Sequence, residues 1–144
     1  MLNQRRTGLR AIRLLGASPS SIVRYPRSVS RPDVLYHGSH VLVPVLEPRN
    51  GPVNATDDRW IALPYALVFR PDERGRCKWS LRMGAETRIS LQHGSLDATG
   101  MGYLYRLPAD RFEQVNAAVW VCREPVTPLG YEVIRSVDYV GWIA

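Results

Sequence analysis

The sequence predicts a mixed, β-rich α+β domain preceded by a basic arm, and three observations carry that reading. Short apolar segments alternate with polar residues at period two, glycines and prolines interrupt them every few residues, and helical signals are few. No period of about 20–50 residues repeats, which argues against solenoids and propellers.

The elements follow in chain order. Residues 1–32 form the arm, and residues 33–144 form one globular domain. Within the arm, Leu9, Ile12 and Leu15 recur at spacing three while Arg6, Arg10 and Arg13 share one side, the pattern of a short basic amphipathic helix. Pro19, Pro26 and Pro32 then break regular structure. In the domain, Val34 to His37 and Val41 to Leu46 read as strands separated by Gly38 and Ser39. Cys77 to Met83, Thr87 to Gln92 and Met101 to Leu107 alternate apolar and polar residues as half-buried strands do. Val119 to Cys122 and Tyr131 to Ile134 are two further β-type runs. Two helices are expected: Pro64 to Phe69, because proline suits a first helical turn, and Asp110 to Asn116 after Pro108.

Charge is segregated along the chain. The 144 residues carry 19 basic and 13 acidic side chains, a net of +6. Seven arginines and no acid fall before Asp33, so the arm is +7 and the domain, with 12 basic and 13 acidic residues, is −1. A near-neutral domain generates no large field of one sign, so an expected nucleic-acid partner is reached only through the arm. The arm's composition fits a flexible extension, an organelle-targeting segment or a binding arm. No apolar run approaches the roughly 18–20 residues of a bilayer span, so no membrane span is expected. A cytoplasmic location follows, with organelle targeting by the arm left open.

Several chemistries lack their residues. His37, His40 and His93 show no metal-ligand spacing, and no metal is expected. Cys77 and Cys122 sit in apolar, β-like sequence, where an inert thiol is the default. Neither a Gly-x-Ser-x-Gly elbow nor a phosphate loop is present. Gly94 to Gly102 is glycine-rich but lies between strands, which suits a hairpin loop better than a phosphate cradle.

One segment stands apart: Leu35-Tyr36-His37-Gly38-Ser39 ends a strand in a polar turn. Gly38 lets a ligand approach the main chain, since no side chain blocks its N–H and C=O. The same three residues also read as an ordinary strand end with a turn glycine.

The Leu-Tyr-His-Gly-Ser opening resembles the first motif of the ADP-ribosyltransferase superfamily. Further segments follow in that family's order. Val43-Pro44 through Asn50-Gly51 matches its loop, and Ile61-Ala62-Leu63-Pro64 its second motif, with Leu63 in place of Thr. Later come Tyr103 through Pro108, Phe112, Trp120-Val121, Glu124 through Pro128, and Val137-Asp138-Tyr139. The resemblance covers residues 34–143 and implies an ADP-ribosyltransferase-like fold with an NAD cleft. NAD would serve as substrate, its ADP-ribose passing to an unknown protein, small-molecule or other target. In that reading His37 hydrogen-bonds the adenosine-side ribose, Gly38 holds the nicotinamide carboxamide through its backbone, and Ser39 supports the turn. Tyr65 stacks on nicotinamide, or is simply a core aromatic. Glu132 is the candidate catalytic carboxylate, with a solvent-facing strand Glu as its ordinary reading. The loop from Glu47 to Arg59 would form the cleft rim. The alternative is a catalytically inactive binding or structural module of the same fold.

Overall fold

A computed structural model describes residues 31–144; the helix and the breaks expected within residues 1–30 lie outside that range. The domain is strand-rich, as the alternation predicts. In chain order it contains β1 (Val34–Ser39), β2 (Val53–Ala55), α1 (Arg59–Ala62), a 3-10 turn (Leu63–Ala66), β3 (Phe69–Arg70) and β4 (Lys78–Arg82). Then follow β5 (Arg88–His93), β6 (Ser95–Leu96), β7 (Met101–Pro108), β8 (Glu113–Gln114), β9 (Trp120–Cys122), β10 (Gly130–Arg135) and a closing 3-10 segment (Ser136–Trp142).

Two three-stranded antiparallel sheets, ordered β1-β7-β10 and β2-β9-β8, make the frame. One backbone bridge joins them. Tyr36 donates its N–H to Thr56 O at 2.7 Å and accepts the Thr56 N–H at 3.0 Å. The β3-β6 pair and the β4-β5 hairpin complete the domain.

Side chains alternate across β1 and β7, and each face has its own core. On one face Leu104 and Ile134 pack with Leu63, Leu67, Trp79, Leu81 and Ile89. On the other, Leu35, Tyr105 and Leu107 meet Val53, Ala55, Phe112, Trp120 and Cys122. The helical turns sit on the first face because two glycines admit them. A Cβ at Gly38 would lie 2.3 Å from Ala62 O, and one at Gly102 1.8 Å from Ala66 O. Only hydrogen fits at either position.

Four expected elements differ. Val41 to Leu46 is irregular, with only Leu46 bridged to another stretch of backbone, at Val126, because Pro44 lacks the N–H a ladder needs. The first helix starts earlier than Pro64, at Arg59, since the Asp58 carboxylate accepts the Trp60 N–H at 2.9 Å and caps it. Pro64 opens the 3-10 turn instead, and Phe69 is already in β3. Asp110 to Asn116 is not helical: Phe112 is drawn into the second core and Glu113–Gln114 pair with β9. The glycine-rich run after His93 is only partly loop, for Ser95–Leu96 pairs with β3 and Asp97 N–H reaches Val68 O at 2.8 Å.

Candidate functional site

A cleft partly open to solvent lies where β1 and β2 part company. Beyond the Tyr36–Thr56 contact, β1 continues with β7 while β2 turns to pair with β9. Tyr36, His37 and Gly38 form one wall, and Asn54, Ala55 and Thr56 the facing one. Ile61, Ala62 and Tyr65 close it from the helical turns, and Ala118 and Val119 from the approach to β9.

The main chain of Gly38 is the feature that gives this cleft its chemistry. Tyr36 spends both its N–H and its C=O on Thr56, so its peptide groups point toward β2. Peptide direction repeats every second residue in an extended strand, so the N–H and C=O of Gly38 point the same way. There β2 has already diverged. A donor and an acceptor from one residue thus face the cleft, the complement of a carboxamide.

His37 is fixed beside them. Its Nδ1 donates to Asn54 O at 2.5 Å, since a carbonyl can only accept. In the neutral ring the Nε2 atom is then an acceptor, suited to a hydroxyl donor. Tyr65 is held edge-on to the buried Trp79 at 5.2 Å between ring centres, which makes it a rigid aromatic wall. Tyr36 packs against the first core and also lines the cleft. Ser39 lies outside the lining; its Oγ accepts the Val41 N–H at 3.1 Å and closes the turn after β1. His40 donates from Nε2 to Leu67 O at 2.6 Å, tying the same turn to the end of the helical segment.

Tyr105 holds the next stretch of loop. Its hydroxyl donates to Val41 O at 2.6 Å and accepts the Val43 N–H at 2.9 Å. Burial pushes its phenol pKa upward.

Glu132 is elsewhere. It pairs in register with Leu104, which in turn pairs with Gly38, so it stands two strands from the cleft wall. Residues in register share a face, which puts Glu132 on the Leu104 face, that of Gly38 and the helical turns, while His37 lies opposite with Tyr105. Its carboxylate accepts from Arg59 at 2.7 Å, and Arg59 also lies over the Trp60 ring. Among the described residues, none that lines the cleft is acidic.

The structure brings together His37, Gly38 and Tyr65, and adds Asn54 and Thr56, which sequence reasoning missed. The segment lying along β1 is Val53–Thr56, whereas Ile61–Pro64 supplies the helical turns after it. Three strand residues are too few to show a period, and Asp57 and the capping Asp58 separate Thr56 from the helix. Part of the Glu47 to Arg59 loop, from Asn54 to Thr56, does reach the cleft. Among the described residues no three His, Cys, Asp or Glu side chains gather as a metal site would, and no helix is long and apolar enough to cross a membrane. Compared with known protein families, curated proteins and solved structures, the chain matches none.

Proposed function

We propose that the domain is an ADP-ribosyltransferase-like module that binds NAD in the β1–β2 cleft. The observation that carries this reading is the parting of the two strands beside Gly38, which aims its N–H and C=O into an aromatic-walled cleft. A nicotinamide carboxamide takes both groups at once, its NH₂ donating to the C=O and its oxygen accepting from the N–H. The pyridine ring then lies against Tyr65, and His37 Nε2 accepts from a ribose hydroxyl.

Transfer of ADP-ribose needs more than binding. A carboxylate close to the ribose would stabilise the positive charge that develops as nicotinamide departs. The acid-free lining, with Glu132 two strands away and paired with Arg59, favours recognition of NAD over its consumption. Titration calorimetry with NAD tests the binding. We expect saturable heat, and His37→Ala, folded by circular dichroism, should weaken it about tenfold, the equivalent of one hydrogen bond of ~1.4 kcal/mol. No heat from folded protein at millimolar NAD refutes the proposal. Nicotinamide released by the wild type and lost in Glu132→Gln would instead establish cleavage of NAD, and ADP-ribose recovered covalently on an acceptor rather than free in water would establish transfer.

A further inference from the structure

The domain's small net charge hides a strong separation within it. Residues 70–93 carry six basic and three acidic side chains, a net of +3, which leaves the rest of residues 33–144 at −4. The excess is displayed on one surface. In the β4–β5 hairpin, Trp79, Leu81 and Ile89 are buried in the first core, so the alternate residues face outward. Those residues are Lys78, Ser80 and Arg82 on one strand and Arg88, Ser90 and Gln92 on the other. Every one can donate a hydrogen bond, and none is acidic.

Arg82 stands directly across from Arg88, an arrangement of like charges that costs stability. Arg88 has one acidic neighbour, Glu86 in the connecting turn. Lys78 and Arg82 make no ion pair among the described residues; Asp72 near that end of the hairpin is taken by Arg76 and His93. Two unneutralised cations, Lys78 and Arg82, beside Arg88 on a two-stranded ribbon fit a partner with closely repeated negative charge.

We propose that the outer face of the β4–β5 hairpin docks on the sugar–phosphate backbone of a nucleic acid. Lys78, Arg82 and Arg88 neutralise phosphates, while Ser80, Ser90 and Gln92 donate to phosphate oxygens between them. No base is read by these contacts, so binding is independent of sequence. This surface is separate from the cleft and does not rest on NAD binding.

The test uses the full 144-residue chain, so the arm contributes equally to every variant. Fluorescence anisotropy with a labelled 20-base-pair duplex is followed between 50 and 200 mM salt. Three lost phosphate contacts should lower the salt slope of Lys78→Gln/Arg82→Gln/Arg88→Gln by about 2 to 3. Over that salt range the wild type then loses about fortyfold more affinity than the variant. Arg82→Gln alone should lower the slope by about 1, which keeps the test available if the triple variant unfolds. Slopes equal to wild type in a folded variant overturn the proposal. A greater loss of polyglutamate binding than of duplex binding also overturns it, pointing to an acidic protein surface instead.

Discussion

At the scale of single residues, Gly38 and Gly102 do different work from what a turn glycine suggests. Neither has positive φ, so conformation does not demand them. Proximity does: the backbone of the helical turns occupies the volume a side chain would need. Gly102→Ala, whose new Cβ would lie 1.8 Å from a carbonyl oxygen, should destabilise by about 3 kcal/mol or more, beyond ordinary overpacking. Gly38→Ala should cost less, since its nearest atom is 2.3 Å away. Urea denaturation checks the order, and equal stability of the Gly102 variant and wild type would contradict it. The prominence of His37-Gly38-Ser39 was legible in sequence, but the reason for Gly38 was not. Sequence shows that a side chain is missing; which backbone fills the gap depends on a packing partner more than twenty residues away.

At the scale of elements, what was legible followed from length and alternation. Cys77 to Met83, Thr87 to Gln92 and Met101 to Leu107 all contain strands where period two placed them. Three-residue and two-residue strands such as Val53–Ala55 and Phe69–Arg70 have too few positions to show a period, so they were missed. The same brevity hid Asn54 and Thr56 from the candidate site. Helix α1 is four residues long and owes its start to one carboxylate. Asp58→Ala should therefore cost about 1 kcal/mol, the usual value of such a cap, read from the thermal midpoint at fixed pH. An unchanged midpoint would show that packing of the turn alone holds it.

At the scale of the whole molecule, the domain gains a clasp from its first described residue. Arg31 donates to Ala109 O at 2.7 Å and to Phe112 O, and its guanidinium lies 5.6 Å from the Trp120 ring centre. Arg31 was counted in the arm on composition, yet its contacts belong to the second core. Its loss should cost about 1–2 kcal/mol, from charged hydrogen bonds and a cation–π contact at a partly exposed site. A chain beginning at Arg31 should withstand more urea than one beginning at Val34. Equal midpoints for those two truncations would remove Arg31 from the fold's accounting. The glycine seat also sets an order of assembly. Gly38 and Gly102 come from strands far apart in the chain, so the seat exists only after β1 and β7 have paired. Closing so long a loop is the slow part of folding. The helical turn docks afterward, so the stability lost in Asp58→Ala should appear as faster unfolding with an unchanged refolding rate. A slower refolding limb in stopped-flow would instead place the turn, and not the strand pair, at the start of folding.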